Sequence, residues 1–92
     1  MTVSFHRYGD FFPGTGDMKD LGKGQGLGYA INVPFLNGLD DISFTETYKT
    51  VMEAVRQRFR PEVVVLQCGA DSLAYDKLGT YNTTLRGHGA CV

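Results

Sequence analysis

Ninety-two residues suffice for at most one small domain. Apolar content of 42% and charged content of 21% are ordinary for a globular chain, and a net charge of -1 offers no electrostatic footing to nucleic acid or a membrane surface. No apolar run approaches bilayer length, no signal-type segment opens the sequence, and Cys68 and Cys91 form no CxxC pair, which together fit a cytosolic or nuclear protein with reduced thiols.

Thr2-Val3-Ser4-Phe5-His6 alternates as a β-strand does and reads as the tail of one. Between Gly9 and Gly28 the composition shifts to glycine, with Pro13, several aspartates and the adjacent aromatics Phe11 and Phe12. Such a stretch reads as a long structured loop, and loops of that length in a small domain are usually functional. Its glycines match neither phosphate-cradling pattern. Gly24-Gln25-Gly26-Leu27-Gly28 lacks the G-x-G-x-x-G register and precedes a strand, and Lys23 is followed by neither Ser nor Thr. Tyr29-Ala30-Ile31-Asn32-Val33 reads as a second strand, stopped by Pro34, and Asn37-Gly38 as a turn.

A helix follows. Phe44, Tyr48, Val51, Met52, Val55 and Phe59 recur at three- and four-residue spacing and form one apolar stripe, which reads as core. Asp41 or Ser43 is expected to cap it, Ser43 with Glu46 having the form of a capping box. Arg56, Arg58 and Arg60 suit its carboxyl end through the helix dipole, and Pro61 stops it.

Val63-Val64-Val65-Leu66-Gln67 has no polar alternation until its end, as expected of a strand buried on both faces of a parallel sheet. The second strand, the helix and this strand would form a right-handed βαβ unit. Gly69 breaks the strand and Asp71 follows, just past its carboxyl end, where open α/β sheets bind their ligands. Asp71 is therefore either a metal-binding or catalytic carboxylate, or the cap of a short helix or turn over Ser72–Leu78. Arg86-Gly87-His88-Gly89 reads as a loop before a further helix, and His6 and His88, lacking any metal or nucleophile motif around them, read as structural. Two or three strands and one long helix would leave sheet edges and apolar faces open, so the chain reads as a slice of a larger domain, marginally stable or prone to associate by itself.

Two longer strings carry the reading further. Ser4-Phe5-His6-Arg7-Tyr8-Gly9-Asp10-Phe11-Phe12-Pro13-Gly14-Thr15-Gly16-Asp17 resembles the signature loop of class I zinc-dependent histone deacetylases. Val64-Val65-Leu66-Gln67-Cys68-Gly69-Ala70-Asp71-Ser72-Leu73 resembles the metal-ligand strand of the same family, and Tyr29–Val33, Gly38-Leu39-Asp40-Asp41 and Gly87-His88-Gly89 fall in its order and spacing. The resemblance spans essentially the whole chain. It implies a slice of the three-layer α/β/α arginase-like deacetylase fold, with residues 1–92 a partial catalytic domain.

The resemblance also implies roles. Asp71 matches the second aspartate of an Asp-His-Asp zinc site, a hard oxygen donor that zinc accepts. Phe12 matches an aromatic wall of the acetyl-lysine channel. Ser4 and the Phe5 carbonyl match a structural potassium site, and the Tyr29 carbonyl a second one. Lys77 stands where an arginine helps bind inositol phosphate between enzyme and corepressor. Lysine keeps the charge there but loses the bidentate geometry. Ala74-Tyr75-Asp76-Lys77 replaces a common Ser-Gly-Asp-Arg, and Leu27-Gly28 a basic-aromatic pair.

The implied activity is hydrolysis of the acetyl amide of N6-acetyl-lysine on histone tails, within nuclear corepressor complexes that repress transcription, with the cytoplasm as a second location. The other zinc ligands, the active-site histidine pair and the catalytic tyrosine are absent from these residues, so the chain alone is expected to be inactive. The competing reading is a non-catalytic paralogue or interaction module on the same scaffold.

Overall fold

The alternating β-branched and aromatic residues of Thr2–Arg7 form β1, and Ala30–Phe35 form β2. They pair in parallel, Thr2 opposite Ala30 through Arg7 opposite Phe35. This is a computed structural model describing residues 1–92, which divide into two units, Met1–Asn37 and Gly38–Val92.

In the first unit, β2 runs through Pro34 and does not stop at it. Thr2 N–H donates to the Tyr29 carbonyl (2.9 Å) and Tyr8 N–H to that of Phe35 (3.3 Å), so the odd-numbered residues of β2 face β1. The donor that Pro34 lacks therefore falls on the other edge, where no ladder needs it. Phe5 and Phe35 stack across the pair with centroids 6.5 Å apart. The connection between the strands is the glycine-rich loop, with a 3-10 turn over Gly24–Gly26.

In the second unit, Asp41–Arg58 form α1. Its cap is Asp40, whose carboxylate accepts from Ser43 N–H at 2.8 Å, and neither Asp41 nor Ser43 takes that place. That bond holds the Asp40 carboxyl below its ordinary range. The apolar stripe turns inward as expected except at Phe59, which lies past the last helical residue as the C-cap and is exposed. Val55 is buried and Phe44, Tyr48, Val51 and Met52 are half-buried, with Leu39 and Cys91 completing the small core. Burial pushes the Tyr48 phenol and the Cys91 thiol up. Leu85–Gly89 form a second short helix, α2, which starts earlier than the glycines around His88 suggest because Thr84 caps it.

The main departure is Val63–Gln67, which joins no ladder. Val63, Val64, Val65 and Leu66 are all exposed, Val65 at 93%. A strand apolar on both faces needs neighbours on both edges and layers above and below, and its own unit supplies no second strand. The parallel pair that does form is β1–β2, and the βαβ unit expected from β2, α1 and Val63–Gln67 is not completed. Ser72–Leu78 forms turns rather than a helix, so Asp71 caps nothing.

Two consequences can be measured. Tyr75 has φ of 71°, in the left-handed region, and is fully exposed. Tyr75→Gly should raise stability by about 1 kcal/mol, read as a higher urea midpoint at unchanged slope. On α1, the Arg56 guanidinium grips both Glu53 oxygens (2.7 and 2.6 Å) and the Gln57 amide adds a bond of 2.8 Å, holding the Glu53 carboxyl down to about 2. A depressed folded-state pKa stabilises above the ordinary value of 4.5, and this support should fade as pH falls from there towards 2. Circular dichroism during an acid titration should show Glu53→Gln lacking that component.

Candidate functional site

The glycine-rich loop is held from both strands. His6 reaches out of β1 and its Nε2 lies 2.9 Å from the Gly16 carbonyl oxygen. A carbonyl only accepts, so Nε2 carries the proton, and in the neutral ring Nδ1 accepts from Ser4 Oγ at 2.8 Å. Gly16 has φ of 91°, and any side chain there would strike the imidazole. His6 is thus a structural clamp. Asn32 on β2 donates to the Asp20 carbonyl at 2.9 Å, and the Arg7 guanidinium sits 4.1 Å from the centre of the Phe11 ring. Tyr8 hydrogen-bonds the Asp17 carboxylate, which raises the phenol. The Asp17 carboxyl itself is held low first by the Lys19 backbone N–H (2.8 Å).

Phe12 is the outcome of this tethering. With His6, Arg7, Tyr8 and Asn32 fixing the loop on either side, Phe12 projects into solvent at 88% exposure. A phenyl ring held out by an ordered loop costs hydrophobic free energy wherever it lacks a partner, and it offers a flat apolar wall to one. Ser4 Oγ is engaged with His6, and the Tyr29 carbonyl accepts from Thr2 N–H.

In the second unit Asp71 is exposed, in the turn after Gly69. A Cβ on Gly69 would sit 3.2 Å from Asp71 Oδ1, and one on Gly79 would collide with the Asp71 carbonyl, so both glycines lie close against this residue. As a donor, an exposed carboxylate suits zinc. No group of three His, Cys, Asp or Glu side chains stands together to hold an ion, so the residues fit one ligand of a zinc site and do not complete it. Lys77 is exposed on the following turn, and His88 Nδ1 lies 3.5 Å from Ser72 Oγ.

The spacing of motifs missed the joint that orders this region. Asp41, in the first turn of α1, accepts from Thr84 N–H (2.7 Å) and Thr84 Oγ1 (2.6 Å). Thr84 Oγ1 in turn accepts from Gly87 N–H (3.1 Å), which caps α2. Two adjacent aspartates at a helix start were the available signal. One suffices as cap, which frees the other to bind elsewhere. A side chain at Gly87 would run into the Asp41 carboxylate, whereas Gly89 faces open space.

The family model for the histone deacetylase domain matches residues 1–92, the entire chain. Histone deacetylase 1 of Homo sapiens is 54% identical over 92 residues, all of this chain and 19% of the relative. Histone deacetylase HDAC1 of Drosophila melanogaster is 52% identical over the same span, 18% of its length. Histone deacetylase clr6 of Schizosaccharomyces pombe is 53% identical over 23% of its length. The chain therefore spans about a fifth of the curated relatives it matches.

Gly87→Ala should cost about 2 kcal/mol through overpacking on Asp41, while Gly89→Ala should be neutral or slightly stabilising. Paired thermal melts of the two variants check this. Identity of 54% along the whole of this chain, the family match and the ordered loop lead to one assignment: the chain belongs to the histone deacetylase domain family.

Proposed function

We propose that residues 1–92 are part of the catalytic domain of a zinc-dependent lysine deacetylase that hydrolyses the acetyl amide of N6-acetyl-lysine. The observation that carries this is the unbroken match of the whole chain to the histone deacetylase domain, at 54% identity to a relative named histone deacetylase 1. The substrates are acetylated histone tails, and the setting is a nuclear corepressor complex that represses transcription, with the cytoplasm as a further location.

Each candidate residue then has a task. Asp71 would give its carboxylate to zinc, which when bound would supply Lewis-acid polarisation of the acetyl carbonyl and activation of water. Phe12 lies along the acyl-lysine stem. Acetylation removes the ammonium charge, so the four-carbon stem can be enclosed by an apolar wall without burying an ion. Ser4, the Phe5 carbonyl and the Tyr29 carbonyl would contribute oxygen ligands to structural potassium sites. Lys77 offers a point charge to inositol phosphate where a planar guanidinium would bind in two-point fashion.

One carboxylate cannot hold catalytic zinc, which takes three protein ligands. The isolated 92-residue polypeptide should accordingly show no chelator-sensitive turnover of an acetyl-lysine peptide with added zinc, and robust turnover would refute that. In the whole enzyme, Asp71→Asn should lower both zinc retention and deacetylation by about 100-fold or more. Unchanged zinc content and turnover would remove the basis of the proposal.

A further inference from the structure

We infer that Thr83 is a positioning residue for Asp71, acting on the backbone that carries the carboxylate. Thr83 is the one fully buried side chain of the protein, at 0% exposure, and it is polar. Its hydroxyl donates at 2.5 Å to the carbonyl of Ser72, the residue immediately after Asp71. Its own carbonyl accepts from Ala74 N–H at 2.9 Å, and Thr83 pairs with Leu73 in a parallel bridge. The three residues after Asp71 are thus gripped by one threonine, through side chain and main chain together.

The grip is anchored on α1. Residues on either side of Thr83 bind the start of that helix: Asn82 N–H donates to the Leu39 carbonyl (2.9 Å), and Thr84 donates twice to Asp41. Gly38 N–H donates to the Thr80 carbonyl (2.9 Å). Segment 80–84 is therefore fixed to a capped helix on one side and passes that fixity to Ser72 on the other. Gly79, close against the Asp71 carbonyl, adds a steric stop. Burying a hydroxyl is tolerated when it is bonded, and the bond this one makes limits rotation of the Ser72–Leu73 peptide unit, one residue beyond Asp71. Without it the Ser72 carbonyl is released and the Asp71 carboxylate samples a wider range of directions.

This inference rests on the reading of Asp71 as a zinc ligand, and the test separates the two. In the whole enzyme, Thr83→Val keeps the volume and deletes the hydroxyl, and Thr83→Ser keeps the hydroxyl. Zinc affinity is measured by chelator competition well below the melting temperature, beside kcat, KM and the melt. Thr83→Val should weaken zinc binding by about tenfold and lower kcat with KM little changed. Thr83→Ser should restore zinc affinity even where its melting temperature falls.

Loss of zinc affinity by Asp71→Asn with wild-type affinity in Thr83→Val would overturn the inference and leave the deacetylase reading standing. Wild-type affinity in Asp71→Asn would overturn both. If Thr83→Val does not fold, Asp41→Asn loosens the same anchor from outside the core. A weakened zinc affinity there supports the inference, and an unchanged one refutes it.

Discussion

The two hydrogen bonds that Thr84 gives to Asp41 are the constraint on which the second unit depends. They join residues 43 positions apart in sequence, and they set the start of α2 against the start of α1. A carboxylate is suited to this because it accepts from a main-chain N–H and a hydroxyl at once, and ionised acceptors make the stronger bonds. The Thr84 hydroxyl donates to Asp41 while accepting from Gly87, so the network leaves no member half-satisfied. The absent side chain at Gly87 is what admits the carboxylate. Sequence here acts through a missing atom as much as through a present one.

The first unit solves a similar problem with an imidazole. Its long loop has little apolar surface of its own, so side chains from the strands, His6 and Asn32, reach out and hold its carbonyl oxygens. This spends the polar capacity of His6 on order and places Phe12 at the solvent boundary. Polar bonds fix the frame, and an aromatic ring is presented by it. Under the proposed role of Phe12, that division would suit a channel for a neutralised lysine, since the frame can be rigid while the contact surface stays apolar.

Much of this was legible in the residues. The apolar stripe from Phe44 to Val55 specified α1, because a 3.6-residue period buries one face whatever surrounds it. The strands β1 and β2 could be read for the same local reason. The Val63–Gln67 strand could not be realised from composition, since pairing is a property of neighbours and the unit holding it has none. Pro34 misled as a stop because its cost depends on which edge its missing donor faces. Asp41 was legible only as a candidate cap, and Thr83 carried no signal at all. Their roles come from tertiary contacts between distant turns, which no periodicity encodes.

Val63–Leu66 carries a further consequence. Four β-branched or aliphatic residues, uncharged and laid open to water, have the makeup of segments that stack into cross-β ribbons. Pro61 and Glu62 stand just upstream, where a ring without an N–H and a negative charge act as gatekeepers on that side. Immediately downstream stand Gln67 and Cys68, which do not repel a like chain, and the nearest charge on that side is Asp71. Polypeptide of this length by itself would therefore expose a segment that other copies can pair with, strand upon strand.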